Sequence, residues 1–325
     1  MNLPRRQLLH LLAGVVVIPT LSRIAAAQAY PTRPVRIIVG WPAGGPSDIA
    51  TRLIAQWLSQ RLGHAFVVEN RPGAASNIAT EAVARAPADG YTLLAVTGTN
   101  TVNATLYDNL SFNFSRDIAT IAGILRSPLV LEAHPALPVN SVSDFVTYIK
   151  ARPGAISLAS FGVGTTSHVA GELFKTMTGV QMMHVPYRGS APMVTDLVSG
   201  HVLVAFDNLP GSIEFIRAGK LRPLAVTSAT RSQMLPNTPS MSEFLPDFEA
   251  SAWNAIGVPV GTPAEIIDRL NNEINAGLAD PKLKARIADL GATVLAGSPA
   301  EVGKLIADET EKWGKVIRTA NIKPE

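Results

Sequence analysis

The stretch Val35-Arg36-Ile37-Ile38-Val39-Gly40-Trp41-Pro42-Ala43-Gly44-Gly45-Pro46-Ser47-Asp48 decides the fold class. Five strand-forming residues run into a Gly/Pro-rich loop, and beyond it Ile49, Leu53, Ile54, Trp57 and Leu58 recur at helical spacing until Gly63 stops the helix. The next apolar run predicts a second strand over 66–68. A second helix is expected over 78–86, and Asp89-Gly90 turns the chain into a third strand over 91–96. Short apolar strands alternating with longer amphipathic helices are the signature of α/β units on a mostly parallel sheet, because each crossover helix covers a face that the strands must bury.

The same unit returns further along. A strand near Leu129 leads to a helix opened by Ser141-Val142-Ser143-Asp144, which resembles a capping box, and 156–159 reads as the next strand. Ser160-Phe161-Gly162-Val163-Gly164-Thr165-Thr166 then forms a second glycine loop, ahead of a helix containing Val169, Leu173 and Phe174 that ends at Gly179. Residues 182–185, 202–206 and 221–227 read as three further strands, after which the chain is expected to return to helices. One of these opens with Thr262-Pro263-Ala264-Glu265, giving an N-cap, a proline at the first helical position and a capping glutamate. The last covers about 299–317.

The chain has 325 residues, 47% hydrophobic and only 16% charged, which supports two packed domains rather than disorder. Its first 27 residues differ from the rest: Arg5 and Arg6, an apolar run from Leu8 to Ile18, then Ala25, Ala26 and Ala27. That pattern is a cleavable export signal, too short to cross a hydrocarbon core of about 30 Å. The arginine pair suits twin-arginine export, while Pro4 and the Leu8-Leu9-His10 ending leave the general secretory route equally open.

The signal carries three basic residues and no acid, so its removal brings the formal charge from +3 to zero. No basic cluster with interleaved aromatics remains, which argues against a nucleic-acid partner. The absence of cysteine excludes disulfides, thiolate metal sites, cysteine nucleophiles and a lipoprotein anchor. The product is expected free in the periplasm, as a monomer.

Free backbone N–H groups at a helix start, with aligned peptide dipoles behind them, form an anion site wherever small residues admit a ligand. Both glycine loops fit: Gly44 and Gly45 precede Ser47 or Asp48 in one, and Gly162 and Gly164 precede Thr165 and Thr166 in the other. One loop contributes at most about 2 kcal/mol, whereas micromolar affinity needs about 8 kcal/mol, so the two must converge on one ligand in a cleft that closes. The competing reading is plain packing, since strand-glycine-helix turns occur throughout α/β proteins.

Asp48 serves either as dipole complement in the first helical turn or as a ligand contact, and Asp207 has the same two readings. Trp41 either walls the pocket or belongs to the core. Enzyme motifs fail: no G-x-S-x-G surrounds Ser160, Ser167 occupies the third-glycine place of a dinucleotide fingerprint, and the six histidines show no metal-ligand spacing. The remaining catalytic alternative is a secreted hydrolase or lyase using Ser160 with His168.

Gly44-Gly45-Pro46-Ser47-Asp48, Glu69-Asn70-Arg71-Pro72-Gly73, Asp89-Gly90-Tyr91-Thr92-Leu93 and His184-Val185-Pro186-Tyr187-Arg188-Gly189 come in an order that resembles the Bug family. Phe206-Asp207-Asn208, Gly219-Lys220-Leu221-Arg222 and Gly261-Thr262-Pro263 continue the likeness over nearly the whole mature chain. These are substrate-binding proteins of tripartite tricarboxylate transporters. The resemblance implies a type II periplasmic binding-protein fold, an α/β architecture of two lobes joined by hinge strands, with a small organic acid held between them and no cofactor.

It also implies two membrane transporter subunits as partners; a related role beside a sensor would use the same cleft. Carried over by position, the ligand contacts are Trp41, Ala43, Gly44, Gly45, Ser47, Asp48, Thr97 and Thr99 on one lobe. On the other they are Ser160, Phe161, Gly162, Gly164, Thr165, Thr166 and Asp207. Lobe 1 is expected over 28–126 and 228–325, lobe 2 over 127–227, with hinges near 123–127 and 227–230. Trp41 where the family more often has Phe, and Ala75-Ser76 in place of Gly-Gly, are expected to reshape the pocket.

Overall fold

The structure, a computed structural model, describes residues 30–324, so the expected export segment lies outside the described residues. Strand β1 (Val35–Val39) lies between β2 (Phe66–Asn70) and β3 (Thr92–Thr97), parallel to both. Helices α1 (Pro46–Leu62) and α2 (Asn77–Ala84) make the crossovers that parallel neighbours require. Ile37, Val39, Ile54, Leu58 and Leu93 meet in the core between this sheet and α1.

A short helix α3 (Gly98–Leu106) starts at the end of β3, and α4 (Phe114–Asp117) leads into β4 (Ile118–Ala133). Sixteen residues of extended chain reach about 50 Å, enough for one strand to serve two lobes. The first half of β4 pairs antiparallel with β9 (Ser251–Pro259), which pairs in turn with β3. The second half, from Leu129 to Ala133, pairs with β7 (Val204–Asn208) on one side and β8 (Arg222–Val226) on the other.

Beyond β7 lie β5 (Ser157–Ser160) and then β6 (Met183–Pro186), parallel to one another. The strand order is therefore β2-β1-β3-β9-β4-β7-β5-β6, one curled sheet shared by two lobes. Around the second half pack α5 (Val142–Lys150), α6 (Thr166–Thr178), α7 (Ser190–Val198) and α8 (Leu209–Arg217). After β9 come α9 (Ala264–Ala279), α10 (Pro281–Asp289), the two-residue β10 (Thr293–Val294) against β4, and α11 (Pro299–Ala320).

The last helix leans on both halves. Val302 and Ile306 pack against Leu94, Val96, Trp253 and Ala255, whereas Trp313, Val316 and Ile317 join Leu129, Leu131, Phe174 and Phe206. Glu309 sits between the two groups. Its Oε2 accepts the indole N–H of Trp313 at 2.7 Å and that of Trp253 at 3.4 Å, and Lys312 closes on Oε1.

The sequence reading differs from this architecture in four places. The tail does not return only to helices, since β9 precedes α9 and forms the middle of the sheet. The strand expected near Leu129 begins at Ile118, and α3 went unread. Thr262 does not cap α9: Pro263 is the cap residue, and the Thr262 hydroxyl instead closes the preceding turn onto the Pro259 carbonyl at 2.8 Å. Proline at that position fixes φ near the value a cap residue needs without any side-chain bond.

Candidate functional site

The first glycine loop leaves β1 at Gly40, where the chain passes so close to Ser76 that a methyl group on Gly40 would lie 1.9 Å from Ser76 Oγ. Gly45, and neither Ser47 nor Asp48, is the cap of α1, with Pro46 as its first helical residue. Proline has no N–H, and the N–H groups of Ser47 and Asp48 meet no protein acceptor among the described residues.

Asp48, nearly fully buried, is spent on the loop itself. One carboxylate oxygen accepts the Gly44 N–H at 2.9 Å and the Arg52 Nε–H at 2.8 Å, and the other accepts from Asn70 Nδ2 at 2.9 Å. Burial alone would raise its pKa, but the Arg52, Gly44 and Asn70 hydrogen bonds outweigh it and hold the carboxyl below its ordinary range. Of the two readings of Asp48, this geometry matches the one in which it serves its helix. Asp48→Asn is expected to cost about 1–2 kcal/mol, read as a lower denaturant midpoint with an unchanged slope. An unchanged midpoint would show that the loop stands without it.

Trp41 is half-buried against the first-lobe core, and its carbonyl accepts from Asn70 Nδ2 at 2.9 Å, while Ala43 and Gly44 stay exposed. Beneath the loop, Ala74, Ala75 and Ser76 all have positive φ, at 45°, 50° and 74°. A left-handed residue with a side chain costs on the order of 1–2 kcal/mol, so three in succession persist only because the surroundings impose them. Asn103 holds this turn, donating to the Ala75 carbonyl at 2.7 Å and to Asn77 Oδ1 at 2.9 Å. Its own Oδ1, and Ser76 Oγ, are buried with no protein partner among the described residues.

In the second loop Thr165 is the cap of α6, and the Thr165 hydroxyl donates to the Gly162 carbonyl at 2.6 Å. The Gly164 N–H donates to His168 Nδ1 at 3.2 Å, whereas the Thr166 and Ser167 N–H groups have no protein acceptor among the described residues. Gly164 has φ +72°, and a methyl there would lie 2.7 Å from Leu106 Cδ2, so α3 and this loop touch. Phe161 is half-buried between two clusters of the second lobe. The pairing of Ser160 with His168 that the catalytic alternative would need is not what the fold makes: Ser160 Oγ lies 2.6 Å from Nε2 of His184, and His168 faces Gly164 and Glu172 instead.

The two loops converge through β9. Ser47 Oγ accepts from Asn254 Nδ2 at 3.0 Å, and Asn254 pairs with Thr97 across the ladder to β3. Thr97 and Thr99, both buried, flank Gly98 at the start of α3, where a methyl would lie 3.4 Å from Thr166 Oγ1 and 3.4 Å from Trp253 Nε1. The starts of α1, α3 and α6 thus gather around Trp253 and Asn254, two from one half of the sheet and one from the other. Open N–H groups from helix starts of both halves of the sheet, brought together in this way, suit an anion.

A family model described as the Tripartite tricarboxylate transporter family receptor matches residues 50–322. The chain belongs to that family. It is 37% identical to Protein BugT of Bordetella pertussis over 320 residues, covering 97% of this chain and 98% of the relative. Its fold is similar to that of an R. palustris protein solved with adipate, at TM-score 0.83 and 40% identity over 91% of this chain and all of the other. It is also similar to MatC from Rhodopseudomonas palustris with bound malate, at TM-score 0.79 and 29% identity over 89% of this chain and all of that one. These neighbours carry the two-lobed periplasmic binding-protein fold, as expected.

In this receptor Asp207 is fully buried and paired with a second acid that the sequence reading missed. Asp207 Oδ2 accepts the hydroxyls of Ser190 and Ser212, each at 2.9 Å, and Ser212 Oγ is also 2.7 Å from Glu132 Oε1. Ser212 has one hydroxyl hydrogen for two carboxylate oxygens, which favours one proton held between the buried pair. Burial raises both pKa values, Asp207 to about 6, and the charge of Asp207 raises Glu132 further. Asp207 Oδ1 and Glu132 Oε2 have no protein partner among the described residues.

Asn254, Asn103 and Trp253 also went unread as residues at these helix starts. Single amides and an indole in apolar surroundings carry no spacing signal; only their neighbours across the sheet give them a role.

Proposed function

We propose that this protein is an exported receptor that takes a small organic carboxylate between its two lobes and delivers it, chemically unchanged, to the membrane subunits of a tripartite transporter. The convergence of three helix starts with open N–H groups from both halves of the sheet carries this reading. The adipate and malate complexes of its relatives support the ligand class. No single helix start suffices, since each contributes up to about 2 kcal/mol against the 8 or so of micromolar binding. Closure that gathers them around one ligand and expels water strengthens every term.

Lobe 1 then comprises 28–126 and 228–325, lobe 2 comprises 127–227, and α11 spans the two. The crossings near 123–127 and 227–230 act as the hinge. They are tied by Thr227, whose hydroxyl accepts the Leu129 N–H at 2.8 Å and donates to the Ala250 carbonyl at 2.7 Å. The mature chain works as a periplasmic monomer after loss of its first 27 residues.

The test is titration of the mature protein with C4 to C6 dicarboxylates, hydroxy acids and aromatic acids by calorimetry and thermal shift. At one hundred times Kd a ligand adds about 2.7 kcal/mol of stability, a rise of several degrees in Tm. Silence across the whole panel would sink the reading, and turnover of a bound acid would replace it with an enzyme.

A further inference from the structure

We propose that His184 is a positioning residue that makes the Ser160 hydroxyl a hydrogen-bond donor to the bound carboxylate; this rests on the carboxylate-receptor reading above. Ser160 sits at the end of β5, buried, at the mouth of the second glycine loop. Its Oγ lies 2.6 Å from His184 Nε2, accepts the Gly162 N–H at 3.2 Å and lies 3.3 Å from the Gly162 carbonyl.

A hydroxyl has one hydrogen and two lone pairs, and a carboxylate has only lone pairs to offer. If Nε2 accepted the serine hydrogen, Ser160 would have nothing to give a carboxylate. If Nε2–H donates, the imidazole and the Gly162 N–H fill both lone pairs. The single hydrogen then turns from the Gly162 carbonyl, a long partner at 3.3 Å, to the ligand.

The surroundings hold this imidazole in one pose. It lies flat on His168, ring centres 3.7 Å apart and planes 6° from parallel. His168 cannot turn: its Nδ1 accepts the Gly164 N–H, which leaves its proton on Nε2, 3.6 Å from Glu172 Oε1. Lys175 Nζ fixes that carboxylate from 2.6 Å. Burial and the neighbouring His168 push the His184 pKa down to about 3, so the ring stays neutral and its tautomer is a defined quantity. One stack of two imidazoles therefore sets both ends of the loop, Gly164 through His168 and Ser160 through His184.

Long-range proton–nitrogen NMR of the wild-type protein reads the tautomer without ligand. The proton is expected on His184 Nε2, and a proton on Nδ1 overturns the proposal whatever the protein binds. Titration with adipate and malate tests the consequence. His184→Phe keeps the stack and loses the donor, and is expected to weaken binding roughly tenfold, as is Ser160→Ala.

His184→Gln, whose amide nitrogen reaches the same point, should recover most of that loss. The double variant His184→Phe/Ser160→Ala should bind no more weakly than Ser160→Ala alone. Full affinity in His184→Phe, or additive losses in the double variant, overturns the proposal while leaving the carboxylate reading intact. A wild-type protein that binds no acid overturns both. Thermal melts of each variant separate misfolding from lost contact, and the wild-type tautomer does not depend on any variant folding.

Discussion

Glu309→Ala is expected to lower the unfolding free energy by about 3–4 kcal/mol, because it strands two buried indole N–H groups at about 1–3 kcal/mol each. Trp253 and Trp313 are both almost wholly inaccessible to water, so neither can replace the lost acceptor with solvent. Lys312, shared between Glu309 and Glu249, loses one of its two carboxylates at the same time.

The loss should appear as a fall in Tm on the order of 10 °C. It should also reach the gathered helix starts, since Trp253 belongs to β9 and its indole nitrogen lies beside the start of α3. Glu309→Gln keeps an acceptor and should cost about 1 kcal/mol. A Tm for Glu309→Ala within 2 or so degrees of wild type would mean that the indoles find other partners and that α11 does not lock the two lobes.

The second large effect is a pH dependence centred on Glu132. A carboxyl whose folded pKa is raised binds its proton more tightly folded than unfolded, so stability falls as pH rises from the unfolded pKa toward the folded one. For both acids that window opens near 4 and for Asp207 extends through about 6, while Glu132, raised by burial and by the charge of Asp207, loses stability in the same direction. The slope reaches about 1.4 kcal/mol per pH unit for each proton held.

Glu132→Gln retains a donor to Ser212 Oγ without a titrating group. Its stability relative to wild type should therefore grow as pH rises from 5 to 8. His184, held neutral in the fold, adds an opposite slope below about 6.5, and Asp48, with its lowered pKa, contributes slope only at lower pH. Both cancel in the comparison of variant with wild type. Parallel stability curves for the two proteins would show that Glu132 is ionised in the fold or that the pair does not titrate.

Much of the fold was readable because local rules and tertiary packing agree. Val35–Val39 is apolar except for Arg36, followed by glycines and then a helical repeat, and it folds as strand, loop and helix within those bounds. β9 was missed because Ser251, Asn254 and Gly257 interrupt its apolar run. It lies in the middle of the sheet between β3 and β4, where pairing on both edges overrides weak strand propensity. The start of β4 was missed for a related reason, since a strand shared by two lobes changes partners midway and has no single period.

The candidate site divides along the same line. The positions of the loop glycines were legible, because glycine ahead of a helical repeat marks the turn into the helix: Gly44, Gly45, Gly162 and Gly164 lie at the starts of α1 and α6. Side-chain roles were not. The only partner weighed for Ser160 was His168, in the catalytic alternative, whereas β6 runs beside β5 and puts His184 opposite Leu158, from which its ring reaches Ser160. Glu132 was invisible, being a lone acid in a strand whose partner Asp207 is 75 residues away and meets it only through the β4–β7 ladder.

By itself, then, the sequence determined which segments are strands and helices over most of the chain, where the two anion-ready helix starts lie, and the family that their order spells out. These depend on chain-local facts: hydrophobic period, the conformational freedom of glycine and the orphan N–H groups of a helix's first turn. Only the tertiary structure decided that those starts come together, that the Asp48 carboxylate bonds to its own loop, that His184 lies against Ser160 and that one serine bridges Glu132 and Asp207. Each of these is set by distance and burial between residues remote in sequence, and it is the low-dielectric packing of the fold that turns an ordinary side chain into a fixed donor, a locked tautomer or a protonated acid.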